Sequence, residues 1–227
     1  MHVLENDMNF NRDETKRPVV LIDIDGVCVI WQSFLPYFLE NTKYDIDMTS
    51  AIKLLTCESF SLFHDIFYND RELSKIVVDE YNKTDYIKYL TPYPDALSVI
   101  NEMKAHWDFV AITAIGYDEK TIENRKYNLN VLFPDAFIDI LYCGANESKH
   151  KALSIAKSRY DNIIMFIDDA THNIDCAYEV MPDVPRYHII RDSRLSTDTP
   201  RFISRDLNQV KNHYMAQLFQ SKNTRLN

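Results

Sequence analysis

Glycine is scarce in this chain, with 3 in 227 residues, which makes the placing of Gly26 directly after the aspartates of "DID" a signal. Cysteine is also sparse: Cys28, Cys57, Cys143 and Cys176 lie far apart and form no C-x-x-C pair. That spacing argues against a zinc cluster or a disulfide framework and favours reduced thiols in a cytoplasmic setting. No apolar run approaches the roughly 20 residues needed to span a bilayer. Basic residues are outnumbered, 25 Lys and Arg against 34 Asp and Glu, for a formal net charge of -9. Duplex nucleic acid and anionic membranes are bound mainly by basic patches, so neither is an expected partner. A small anion remains possible where a cation and a few donors are concentrated. The sequence contains no internal repeats or low-complexity tracts.

What is present is an ordinary globular composition, 46% hydrophobic and 26% charged. Residues 1–17 are polar, lack the apolar centre of a secretory signal, and are expected to be a flexible leader. Val19 to Ile24 is short, β-branched and apolar on both faces, as a buried parallel strand requires. "FVAITAI" (109–115) and "IIMFIDD" (163–169) repeat that signature, and 136–144 and 186–192 carry weaker versions. Helical patterns lie between them. In "PDALSVINEMKAHW" the spacing sets Leu97, Ile100 and Met103 on one face. "ESKHKALSIAKSRY" offers Ser148 as N-cap and turns Leu153, Ala156 and Tyr160 inward. "HNIDCAYEVM" does the same with Ile174, Ala177, Tyr178 and Met181. Strands alternating with helices predict a doubly wound, Rossmann-like α/β core.

The interval from 33 to 90 breaks the alternation. It has helical periodicity, no strand-like run and many aromatics: Phe34, Tyr37, Phe38, Phe60, Phe63, Phe67 and Tyr68. A small α-helical cap inserted after the first strand is expected there, with 18–32 and 91–227 forming the catalytic core. Pro92 and Pro94 mark the return to the core. A loop and a closing helix are expected after Asp192.

Chemistry collects at the predicted strand ends, where ligands of open parallel sheets bind. Asp23 and Asp25 follow the first strand, Thr113 and Ala114 end the second, and Asp168 and Asp169 end a third. Lys149 opens the helix before that last strand. An aspartate after a strand is ordinarily a turn residue. An Asp-x-Asp at the end of a buried strand is different, because one unpaired buried carboxylate costs several kcal/mol, on the order of 2–7 for a polar group and more for a charge. Converging carboxylates repel unless a divalent cation lies among them, and all-oxygen ligands favour Mg²⁺.

In this arrangement the chain resembles the haloacid dehalogenase-like (HAD) superfamily of phosphohydrolases. "VVLIDIDGVCV" matches the first motif, hhhhDxDG followed by Thr or Val. "FVAIT" matches the second, Lys149 in "KHKAL" the third, and "IIMFIDD" the fourth. The resemblance implies that Asp23 is the nucleophile, giving an aspartyl-phosphate, and that Asp25 protonates the leaving oxygen and later deprotonates water. It places Mg²⁺ on Asp23, the Asp25 backbone carbonyl and Asp168, with Asp169 replacing or assisting Asp168. Thr113, Ala114 and Lys149 would hold the phosphoryl oxygens; Lys151 competes with Lys149 for that role. Because the superfamily's dehalogenases lack the second acid, Asp25 implies phosphate ester hydrolysis. Asp175, further along, is expected at the surface.

"DIDGVCVIWQSFLPYFLE", "YPDAL" and "FIDDATHNI" are similar to segments of the 5′(3′)-deoxyribonucleotidases. That similarity implies a nucleoside monophosphate substrate, with Trp31 and Phe34 at the cap entrance as candidate contacts. Rival expectations are a phosphatase for a sugar phosphate or a polynucleotide 3′-phosphate, a phosphorylation-operated receiver module, and an inactive binding protein. A receiver places its acidic pair first and its lysine last, the reverse of the order here. Oligomeric state is left open.

Overall fold

Strand β1 (Val19–Ile22) is buried along its whole length and lies at the centre of the sheet. The computed structural model describes residues 16–56, 62–144, 147–191 and 198–224. Along the chain, β2 (Val29–Ile30) follows the aspartate loop and leads into a short 3-10 turn, Trp31–Phe34. Four helices come next: α1 (Leu35–Glu40), α2 (Met48–Thr56), α3 (Leu62–Ile66) and α4 (Arg71–Asn82). A second 3-10 turn, Asp85–Tyr89, leads to β3 (Thr91–Pro92), which pairs antiparallel with β2 and closes the base of this helical insertion. Asp70 caps α4, its carboxylate accepting the amides of Glu72 and Leu73 at 3.0 Å each.

The remainder alternates: α5 (Pro94–Met103), β4 (Asp108–Thr113), α6 (Glu119–Leu132), β5 (Phe137–Tyr142), α7 (His150–Arg159), β6 (Ile163–Asp168), α8 (Thr171–Val180), β7 (Arg186–Ile189), β8 (Phe202–Ser204) and α9 (Leu207–Thr224). The main sheet has the order β5-β4-β1-β6-β7-β8, and each of its pairings is parallel. Both faces are covered. Val20, Ile22, Phe109 and Met165 pack with Val99, Ile100, Val210 and Tyr214 on one side. Leu21, Val110 and Phe166 pack with Leu153, Ala156, Ile174 and Ala177 on the other. This is the doubly wound α/β architecture, with apolar strands between two helical layers.

The structure differs from several sequence expectations. Lys16 and Arg17, assigned to the leader, are anchored: Lys16 pairs with Asp161 at 2.6 Å, and Arg17 pairs with Asp108. Leu97 and Tyr178 are exposed, while Ala96, Val99 and Ile100 carry the buried face of α5. Tyr178 instead lies under the Arg186 guanidinium, 4.9 Å from its ring centre. Strand β8 extends the sheet where only a loop and helix were expected, and α6 was not anticipated. Residues 1–15 of the leader, Cys57, Phe60 and 192–197 lie outside the described residues.

Candidate active site

The chain leaves β1 for β4 on one side of the sheet and returns to β6 on the other, so a crevice opens at the carboxyl end of β1. Asp23 is the first residue beyond that strand, Thr113 ends β4 and Asp168 ends β6. The strands thus deliver the side chains, and the parallel register brings them to one edge.

Asp23, Asp168 and Asp169 each offer a carboxylate oxygen, and these atoms lie within 4.8 Å of one another. All three residues are buried. The Lys149 ammonium lies against two of them, 2.7 Å from Asp23 Oδ1 and 2.8 Å from Asp168 Oδ2, and is itself 1% exposed. Further donors hold the acids in place. The Ile24 amide donates to Asp23 Oδ1 at 2.8 Å. The Ala170 amide and Asn173 Nδ2 donate to Asp168 Oδ1 at 2.9 and 3.0 Å. Lys151 is exposed on α7, so the lysine at the cluster is Lys149.

Burial pushes Asp23 well above the usual carboxylate range; Lys149 pulls it down, while Asp168 and Asp169 push it up. Burial alone would lower Lys149, but Asp168 and Asp23 outweigh it and keep the ammonium charged. Three buried carboxyl groups gather here, and Lys149 pairs with two of them. The donor set is all oxygen, so a hard divalent cation such as Mg²⁺ fits it. Asp23, Asp168 and Asp169 would hold that ion.

Asp169 thus stands in the cluster itself and not behind Asp168. Gly26 explains how it comes so close. Its φ is +82°, which disfavours any L side chain, and a Cβ there would lie 2.0 Å from Asp169 Oδ2. Gly26→Ala is expected to displace Asp169 and lower turnover about 10-fold or more, through a shift of about an ångström at the site. Steady-state rates against increasing Mg²⁺ will measure it; rates and a Mg²⁺ response equal to those of the unaltered protein would show that Asp169 has kept its place.

The Asp25 carboxylate lies outside the cluster. Arg125 Nη2 of α6 donates to its two oxygens at 2.6 and 2.7 Å. Nothing in the sequence pointed to Arg125, because Thr121, Asn124, Arg125 and Asn128 look like the solvated face of a helix; all four are buried. Thr113 is fully buried, and its hydroxyl has no hydrogen-bond partner among the described residues. Ala114 follows it, partly buried.

At the start of the helical insertion, Trp31 packs edge-on against Tyr81, ring centres 5.1 Å apart, and its indole N–H donates to Asn82 Oδ1 at 2.9 Å. Phe34 stacks with Tyr86 at 6.0 Å. Both are half-buried. Asp175 is also half-buried, and accepts the Thr199 hydroxyl. The chain after β7 is tied to the aspartate loop by Arg191. It donates to Asp95 at 3.0 and 2.8 Å and to the Val27 carbonyl at 2.9 Å, and it lies 3.7 Å over the Tyr93 ring.

This sheet order, with acids at the ends of β1 and β6 and helices inserted after β1, is the fold of haloacid dehalogenase-like hydrolases. The Bacillus subtilis HAD-hydrolase YfnB, a structure bound to magnesium, superposes with a TM-score of 0.62 at 13% identity, over 88% of this chain and 99% of that one. The haloacid dehalogenase-like family protein SP0104 of Streptococcus pneumoniae gives 0.58 at 17% identity, over 88% and 99%. The L-2-haloacid dehalogenase PA0810 gives 0.51 at 14%, over 87% and 99%. In sequence, the chain is 43% identical over 178 residues to an uncharacterized 32.4 kDa protein of the Gp30-rIII intergenic region of enterobacteria phage T4. That match takes in 78% of this chain and spans 63% of the phage protein's length. No protein-family model matches the chain. None of these similarities extends to the deoxyribonucleotidases. Among the described residues, no helix is long and apolar enough to cross a membrane.

Proposed function

We propose that this protein is a Mg²⁺-dependent phosphomonoesterase that works through an aspartyl-phosphate, with nucleoside monophosphates as the substrate class. The observation that carries the reading is the buried cluster of Asp23, Asp168 and Asp169 around Lys149, with a separate acid, Asp25, two residues beyond Asp23.

Asp23 Oδ1 is committed to Lys149 and the Ile24 amide, which leaves Oδ2 to attack. As the Asp23 oxygen bonds to phosphorus, the ester P–O bond breaks and Asp25 gives its proton to the departing oxygen. Water then attacks phosphorus, passing a proton to the Asp25 carboxylate. The Asp23–phosphorus bond breaks and inorganic phosphate leaves. Lys149 offsets the charge on the transferring group, and the buried Thr113 hydroxyl and the Ala114 backbone are candidate donors to its oxygens. Bound Mg²⁺ would supply further charge neutralisation at the phosphoryl oxygens.

Asp25 favours phosphate esters over 2-haloacids, since a leaving halide needs no proton. The nucleotide assignment rests on the sequence similarity above and on the aromatics Trp31 and Phe34 at the cap entrance. A base stacked on one such ring gains about 1–3 kcal/mol. The test is phosphate release from an aryl phosphate with and without chelator, then from nucleoside 5′- and 3′-monophosphates and sugar phosphates. We expect loss of activity with chelator, recovery with Mg²⁺, and kcat/KM at least about 10-fold higher on a nucleotide. Full activity in chelator overturns the metal assignment, and a preference for sugar phosphates overturns the substrate class. Halide release from a 2-haloacid without phosphatase activity overturns the reaction.

A further inference from the structure

We infer that Arg125 is a positioning residue for catalysis: it orients the Asp25 carboxylate for proton transfer, an inference that rests on the phosphatase reading above. Arg125 is 0% exposed, and its one engaged nitrogen, Nη2, donates to both Asp25 oxygens at 2.6 and 2.7 Å. Those are short, charge-assisted bonds, the kind that fix a side chain. Its Nε and Nη1 are buried with no hydrogen-bond partner among the described residues. Burying donors unsatisfied is costly, and a cation kept only for packing would be better replaced by an apolar side chain. The Asp25 pair is what this guanidinium holds, so its role lies with that acid.

The helix that carries Arg125 is itself fixed. On the same face of α6, Asn124 Nδ2 donates to the Thr84 carbonyl at 2.8 Å, and Asn128 Nδ2 donates to Lys88 and Leu90 carbonyls at 3.2 and 3.1 Å. These acceptors belong to the segment by which the cap rejoins the core. The backbone of the aspartate loop is held separately, the Gly26 amide donating to the Val29 carbonyl at 3.0 Å. Asp25 therefore has a fixed backbone and a side chain set by Arg125, which lies on the surface that also anchors the cap exit.

The consequence can be read from leaving-group dependence. An acid that is present but misaimed matters little when the departing oxygen is already a good leaving group and greatly when it is poor. Single-turnover leaving-group release, with enzyme in excess, isolates the first step. The probes are p-nitrophenyl phosphate and benzyl phosphate, which are close in size. For Arg125→Gln we expect a loss under about 5-fold on the nitrophenyl ester and about 100-fold on the benzyl ester, the scale of a small misplacement. Substrate affinity should change less than about 2-fold for both, and Arg125→Lys should recover part of the benzyl rate. Asp25→Asn is the reference and should show the same asymmetry.

Equal losses on both esters, or a loss confined to affinity, overturn the role of Arg125. So does a crystal structure of Arg125→Gln with the Asp25 carboxylate unmoved. If Arg125→Gln does not fold, Arg125→Lys decides: its benzyl loss should exceed its nitrophenyl loss about 10-fold, and equal losses overturn the inference. A wild-type protein that cleaves neither ester overturns the phosphatase reading and this one with it. An active wild type with the asymmetry in Asp25→Asn but not in Arg125→Gln overturns this one alone.

Discussion

Asp23→Asn is expected to reduce phosphate release to background, a loss on the order of 10⁴-fold or more, because on the proposed mechanism its carboxylate forms the bond to phosphorus. The substitution is nearly isosteric. An amide oxygen can still accept from Lys149 and from the Ile24 amide, the two groups that hold Oδ1. It also removes one of three crowded acids, so the melting temperature should stay level or rise. Lost turnover in a protein at least as stable as wild type separates chemistry from unfolding. Acid quenching of a reaction with labelled substrate should trap phosphate on the wild type and none on Asp23→Asn. Retention of more than a few per cent of the rate would remove Asp23 as the nucleophile.

Lys149→Met should be damaging in a different way. It leaves Asp23 and Asp168 buried without their ammonium, and breaking a buried pair costs about 3–5 kcal/mol. Activity should disappear with it. The pH dependence has a definite sign. Asp23 already binds its proton more tightly in the folded protein than in the unfolded chain, mainly through burial, so the folded state carries more protons and stability falls as pH rises above the unfolded carboxylate value. Without Lys149 the slope should steepen, and the variant should regain stability on acidification from pH 8 toward 5.5. Added Mg²⁺ should also raise its melting temperature more than it raises that of wild type, since a ligand of the folded state stabilises by mass action. Thermal melts over pH and Mg²⁺ concentration measure both. Wild-type stability in Lys149→Met at pH 8 would mean that Lys149 does not hold the cluster together.

The core strands were legible because β1, β4 and β6 are buried on both faces and so read as continuous apolar runs. Their acidic and Thr ends were legible for the same reason, a polar residue being conspicuous where such a run stops. Helix α6 was not, because its buried face is polar. Asn124 and Asn128 satisfy cap-exit carbonyls and Arg125 satisfies an acid, and these partners lie far away in the chain. Hydrophobic periodicity cannot register such a seam. Asp169 was legible as an acid beside Asp168, but its close approach to the left-handed turn at Gly26 was not. Tyr178 was misread because its position on a helical stripe did not reveal that Arg186 would cover one side of its ring. Strand β8 is only three residues long and carries too little pattern to stand out.

The position of β1 between β4 and β6 has a further consequence for how the protein comes into being. During synthesis Asp23 emerges early, while Lys149, Asp168 and Asp169 are made much later, on segments that reach it only when β6 docks. Until then the nascent chain holds Asp23 without the other two acids of the cluster. On the proposed mechanism, capacity to hold the ion and capacity to react should therefore arrive together, at the moment the last central strand is added, and a ribosome stalled before that strand would display an inert chain.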